Sequence, residues 1–236
     1  MEVCERRIDD AVDDLLVQAK SYVLDKIVLP WGNDFFHYDT LSGTTTSGTP
    51  LDRDSRFQKM FRKGRAIASR TIRKCAEVAP VDVVIVPGNH DEITSFLLGE
   101  VLAAEFEGDA RVTVDNSPRM RKYVKYGKNL IGFTHGKEEP HKKLPLIMAQ
   151  EVPQMWAETV FREMHTGHFH TSKVSDSVPV NSYNGVRVRT LQSLSGTDAW
   201  HAKMGYIGET GGAEAFVWSH SKGLRANLFY LLREAA

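Results

Sequence analysis

One stretch constrains the fold more than any other: Val81-Asp-Val-Val-Ile-Val-Pro87. It is an almost unbroken β-branched run, and it stops at Gly88-Asn-His-Asp91. A strand of this kind is buried on both faces, as in the middle of a parallel sheet covered by helices. The flanking segments agree. Lys26–Trp31 reads as a short buried strand before it, and Arg111–Val114 as a strand after it. Between them, a long helix opened by Asp52 and Asp54 carries Phe57, Met60, Phe61, Ile67, Ala68, Ile72 and Cys75 on one face. A second helix, from about Glu92 to Phe106, returns the chain. Strands alternating with helices predict an α/β arrangement.

The remaining segments extend this pattern. Cys4–Val23 reads as an amphipathic helix with Ile8, Val12, Leu15, Leu16, Ala19 and Val23 on one stripe. Thr40–Pro50 is rich in Thr, Ser and Gly and reads as a loop. Lys122–Thr134 reads as a hairpin turning at Tyr126–Asn129. Lys143–His165 reads as two helices broken at Pro153. A β-rich end follows, with strands in Lys173–Val180, Gly185–Leu194 and Ala213–Tyr230 and turns at Tyr183–Gly185 and Ser221–Gly223. No internal repeat or linker divides the 236 residues, so a single domain is expected over 1–236.

Composition narrows the class. Thirty Lys+Arg balance 30 Asp+Glu, which argues against nucleic-acid binding by bulk charge alone. No apolar run reaches the roughly 18 residues of a membrane span, and the two cysteines, Cys4 and Cys75, make no disulfide framework. A cytoplasmic protein without a membrane segment is expected, and both cysteines are expected to pack within helices.

Nine histidines carry more information. Four polar clusters share one kind of position, a glycine-containing turn after an apolar strand: Gly32-Asn-Asp-Phe-Phe-His37, Gly88-Asn-His-Asp91, Thr134-His-Gly136 and Gly167-His-Phe-His170. The carboxyl ends of strands are where open α/β sheets bind ligands. Asp, Asn and His together form an oxygen and imidazole donor set suited to Mn, Fe, Zn or Ni, whereas the thiols lie elsewhere. Each histidine alone could be an ordinary core residue. Together the clusters predict one convergent metal site.

Gly88-Asn-His-Asp91, His135-Gly136 and Gly167-His-Phe-His170, in that order, resemble the calcineurin-like metallophosphoesterases. Gly32–His37 resembles that family's Gly-Asp block with an Asn inserted, and its Phe-His ending is similar to the DNA-repair exonuclease branch. The likeness runs from about Trp31 to His170. It implies a mixed α and β fold, a β-sandwich flanked by helices, and two divalent metal ions. Asp34 would bridge the ions, Asn89, His135 and His168 would complete the second site, and His170 would ligate the first. His90 would be the general acid, with Asp91 orienting it. The implied activity is hydrolysis of phosphoester bonds, as a phosphodiesterase or nuclease. The alternatives are a small-molecule phosphomonoesterase and a non-catalytic module that binds phosphate or nucleic acid with one metal.

The family's first block, Asp-x-His on a strand before the N-terminal helix, has no counterpart here. The first metal site is therefore expected to be partial, through either a missing N-terminal segment or a natural variant with one firm metal, and the sheet exposed by the absent strand would favour a homodimer. The expected substrate is a phosphoester, with DNA as one candidate. Between Asp52 and Lys74, nine Lys/Arg face two Asp, so that helix could follow a phosphate backbone or simply be a solvated face. Lys137, His141, Lys142 and Lys143 could meet substrate phosphate. Thr40–Pro50 could gate or read substrate, and His37 has an open role. Ser193–His201 reads as a polar turn with a helix cap at Thr197 or Asp198.

Overall fold

A computed structural model describes residues 2–51, 56–168, 180–194 and 211–232. In chain order the elements are α1 (Glu2–Ala19), β1 (Ile27–Gly32), α2 (Phe57–Val78), β2 (Val81–Val86), α3 (Glu92–Glu105), β3 (Val112–Asp115), β4 (Lys122–Tyr126), β5 (Asn129–Thr134), a 3-10 turn (His141–Lys143), α4 (Leu144–Glu151), α5 (Pro153–Glu158), β6 (Phe161–Thr166), β7 (Val180–Tyr183), β8 (Val186–Thr190), β9 (Gly212–Ser219) and β10 (Gly223–Leu231). The fold is thus mixed α and β, with three sheets among the described residues. No described helix is long and apolar enough to cross a membrane. The chain divides into two compact units. The first holds Tyr22–Lys122 and Phe133–His135, and the second holds Glu2–Ser21, Tyr123–Gly132 and Gly136–Ala236.

The first unit is built on the parallel sheet β1-β2-β3. β2 is its central strand, and Val81, Val83, Val84, Ile85 and Val86 are all buried. β1 lies at the edge, where Pro30 costs no ladder hydrogen bond. Parallel neighbours need long crossovers, and α2 and α3 supply them. α2 turns Ile67, Ala68, Ile72 and Cys75 inward. Burial pushes the Cys75 thiol up to about 11, so it packs as a small apolar group.

In the second unit, the sheet runs β4-β5-β6-β8-β7. Leu130, Leu144, Met148, Val152, Met164, Val186 and Val188 form its core. Gly132 lets β5 lie against β6, since a Cβ there would sit 2.1 Å from the Met164 sulfur. β7 and β8 form a hairpin through Asn184 (φ 46°) and Gly185 (φ 81°). These left-handed residues are what a two-residue Asn-Gly turn requires. α1 packs against β9 and β10, and the Gln18 amide donates to the Phe229 carbonyl at 3.0 Å.

Several expectations are corrected. The helical reading of Lys143–His165 holds only to Glu158, because Phe161–Thr166 is strand β6. α1 ends at Ala19, and Val23 is fully exposed rather than part of an inner stripe. Cys4 is exposed. The α2 helix begins at Phe57. Expectations on Asp52–Ser55, Lys173–Pro179 and Ser195–His201 lie outside the described residues.

Candidate metal centre

β1 ends in a turn held in an unusual backbone conformation. Gly32 (φ 111°), Asn33 (φ 60°) and Asp34 (φ 67°) are all left-handed. Glycine is obligatory at the first position, where a Cβ would meet the Val86 carbonyl oxygen at 2.3 Å. Asn and Asp tolerate this region better than other residues, at a cost on the order of 1 kcal/mol each. The Asn33 N–H donates to the Val86 carbonyl at 2.7 Å, fastening the turn to the end of β2.

The turn after β2 meets it. Gly88 passes so close that a Cβ would lie 2.2 Å from Asp34 Oδ1 and 2.3 Å from the Asp34 nitrogen. The His90 N–H donates to Asp34 Oδ1 at 2.9 Å. This leaves Asp34 Oδ2 facing away, 3.3 Å from His135 Nε2 at the end of β5. Asn89 Oδ1 lies 2.7 Å from the same nitrogen. On the other side of the ring, Nδ1 meets Asn33 Oδ1. Three ligand-capable atoms therefore converge within the first unit: a carboxylate oxygen, an amide oxygen and an imidazole nitrogen.

Without a cation, His135 Nε2 must donate to those oxygens. With one, its lone pair and both oxygens face a single positive charge. The Asn33 contact on Nδ1 is the kind of second interaction that fixes the ring orientation of a ligating histidine. The residues present thus fit a hard or borderline divalent ion bound by N and O ligands.

Asp91 has a structural place in this arrangement. Its side chain is fully buried, and its carboxylate accepts from the main-chain N–H groups of Phe36 (2.9 Å), Gly88 (3.1 Å) and Asp34 (3.3 Å). Burial pushes its pKa up to about 7, and the nearby Asp34 charge adds to the rise. The N–H groups of Phe36 and Gly88 oppose them. Asp91 was expected to orient His90, but its carboxylate instead binds the two turns together. The His90 ring is oriented by another group, since its Nδ1 donates to the His37 carbonyl at 3.1 Å. The His37 ring lies 6.1 Å from the His90 ring.

The structure also accounts for the Thr40–Pro50 loop. It is fastened by the buried Asp39, which accepts from the N–H groups of Ile93 (3.1 Å) and Thr94 (2.7 Å) and from the Thr46 hydroxyl (2.7 Å). An acceptor five residues past Asp34 thus closes the N-terminus of α3. Within the loop, the Thr45 N–H donates to the Thr49 carbonyl at 2.9 Å, and the Thr49 N–H returns to Thr45 Oγ1 at 3.0 Å.

In the second unit, His168 follows Gly167 just beyond β6, in a left-handed conformation (φ 62°). His170 lies outside the described residues. His141 opens the 3-10 turn, and burial lowers its pKa. Reading the sequence missed three contributors: Asn33, the His37 carbonyl and Asp39. The left-handed pair Asn33-Asp34 after a glycine was the one available signal. Comparison with protein-family models, curated proteins and solved structures gave no match.

Proposed function

We propose that this chain is a metal-dependent hydrolase of phosphoesters, and more particularly a phosphodiesterase of the nuclease kind. The observation that carries the reading is the convergence of Asp34 Oδ2, Asn89 Oδ1 and His135 Nε2, at 2.7–3.3 Å around the imidazole nitrogen. On the resemblance alone, His168 is proposed as a further ligand and His170 as a ligand of a second ion. When bound, divalent ions such as Mn²⁺ supply Lewis-acid stabilisation of the phosphoryl oxygens and hydroxide near neutral pH.

The chain's own residues do the rest. Asp34 divides its carboxylate: Oδ1 holds the His90 main chain, and Oδ2 faces the ligand position. The ligand and the general acid are therefore set by one side chain. The His37 carbonyl accepts a hydrogen bond from His90 Nδ1–H and so orients the ring. That leaves Nε2 as the nitrogen from which a proton would be given to the departing oxygen. Proton donation of this kind contributes about 10²–10⁴ in rate.

The test is Mn²⁺-dependent hydrolysis of a chromogenic phosphodiester by the purified chain. Activity that is abolished by chelation and falls at least a hundredfold in His90→Ala supports the reading. A folded chain that binds Mn²⁺ and hydrolyses neither diester nor monoester overturns it.

A further inference from the structure

The first turns of α2, with Arg56 just before them, carry a charge pattern that the candidate metal centre does not use. Arg56, Lys59 and Arg62 stand three residues apart and are all exposed. On a helix this spacing winds a short cationic stripe along one side, with about 4.5 Å of axial rise per step. The charges along α2 are met in two ways. Further along the helix, Arg65 and Arg73 both pair with Glu105 of α3, at 3.2 and 3.0 Å. Among the described residues, no carboxylate pairs with Arg56, Lys59 or Arg62. Solvation alone explains scattered lysines, but among the described residues these three cations meet no carboxylate, whereas Arg65 and Arg73 do.

The stripe is also held to the candidate site. Gly64 lets α2 approach the loop after Asp34 so closely that a Cβ there would meet Phe36 Cε1 at 2.3 Å and Phe35 Cε1 at 3.0 Å. Phe36 stacks on Phe61 (5.7 Å between ring centres), and Phe61 stacks on Phe57 (6.3 Å). This aromatic column joins the residues directly after Asp34 to the first turn of α2. Arg62 lies about 3 Å along the helix axis from Gly64, and Arg56 about 12 Å.

We infer that the Arg56–Lys59–Arg62 stripe binds the phosphate backbone of a nucleic-acid strand, and so makes the substrate class a polynucleotide rather than a small ester. The inference rests on the phosphodiesterase reading for its substrate, but the binding it predicts needs no catalysis. Three point charges in a row, without a base-reading pocket, suit sequence-independent contact with successive phosphates. An anionic membrane surface would also attract cations. However, a stripe tied by an aromatic column to a candidate phosphoryl-transfer site favours the strand.

The experiment is fluorescence anisotropy of a labelled single-stranded oligonucleotide of about 20 nucleotides, titrated with the full chain in chelator over a series of salt concentrations. The variants are the triple Arg56→Gln/Lys59→Gln/Arg62→Gln and the single Lys59→Glu, each checked for wild-type circular dichroism. The expected result is about a tenfold loss of affinity in the triple variant. The slope of log affinity against log salt should shrink by about two, at roughly 0.7 per lost phosphate contact on a single strand. Metal-dependent hydrolysis of the small chromogenic diester should stay at the wild-type rate in both variants. Unchanged affinity and salt slope in both variants overturn the inference. So does binding of the wild type to phosphatidylserine vesicles without binding to the oligonucleotide. If the oligonucleotide result holds while the diester is not hydrolysed, the active-site reading fails and the binding surface stands.

Discussion

At the scale of single residues, the candidate centre depends on close approach more than on any one ligand. Among the glycines beside Asp34, Asn89 and His135, Gly88 has the least room: any side chain must displace both the Asp34 main chain and its Oδ1. Gly88→Ala is expected to lower Mn²⁺-dependent diester hydrolysis by about a hundredfold and stability by about 1–3 kcal/mol, read by kcat/KM and by urea unfolding. His135 and His90 should separate in a different way. His135→Ala removes the nitrogen on which two oxygens converge, so calorimetric titration should show Mn²⁺ affinity falling at least tenfold. His90→Ala removes the proposed proton donor, whose ring contacts the His37 carbonyl rather than Asp34, Asn89 or His135, so Mn²⁺ affinity should hold while kcat falls by about 10²–10⁴. If both variants lose metal equally, the division of roles between them is wrong. The choice of Asn and Asp at 33 and 34 follows from the same geometry, because a β-branched residue at φ near 60° would break the turn that presents Asp34.

At the scale of elements, Asp39 shows how a loop becomes part of the scaffold. Its carboxylate takes two of the N–H groups that α3 leaves unsatisfied at its start. Asp39→Ala should cost about 1–2 kcal/mol, as loss of a helix cap does, and should speed amide hydrogen exchange across residues 40–51 and 92–95. Exchange that stays slow in the loop would mean its internal Thr45–Thr49 bonds hold it unaided. Nothing local in the sequence announces this contact, because its partner lies about 55 residues further on. Elements with a simple burial pattern were legible. β2 reads as a central strand because both its faces are apolar, and the Asn184-Gly185 turn reads from its left-handed chemistry. Of the site, the Asp34, Asn89 and His135 positions were legible because each follows a strand at a glycine-containing turn. β6 was not legible, for a physical reason. Its buried residues include Glu163, His165 and Thr166, so it lacks the apolar signature of an inner strand, and Phe161, Met164 and His165 fall on a helical period.

At the scale of the whole molecule, neutrality is assembled from local imbalances. The cations of α2 are offset elsewhere, and α1 carries Asp9, Asp10, Asp13 and Asp14. The buried charges, by contrast, are matched where they lie. Glu163 on β6 is 2% exposed and accepts from Arg189 Nε on β8 at 2.7 Å, with His165 Nε2 3.1 Å away. Arg189 in turn lies over the Phe216 ring of β9 at 4.7 Å. Burial alone would raise the Glu163 pKa, but the His165 and Arg189 contacts outweigh it, and the net shift is downward. The sign of the linkage follows. A carboxyl depressed in the folded state binds protons less readily than in the unfolded chain, so its stabilisation is fully present above its ordinary value of 4.5 and is lost as pH falls through the folded value. Glu163→Gln removes that titration and leaves the Arg189 charge buried without its counter-ion, a loss expected to cost about 3 kcal/mol at pH 7. Thermal unfolding of wild type and variant between pH 3 and pH 7 tests this. The variant should melt lower at pH 7, and the gap between the two should narrow below about pH 4.5. A gap that stays constant across the range would place the stabilisation in packing of the side chain rather than in its charge.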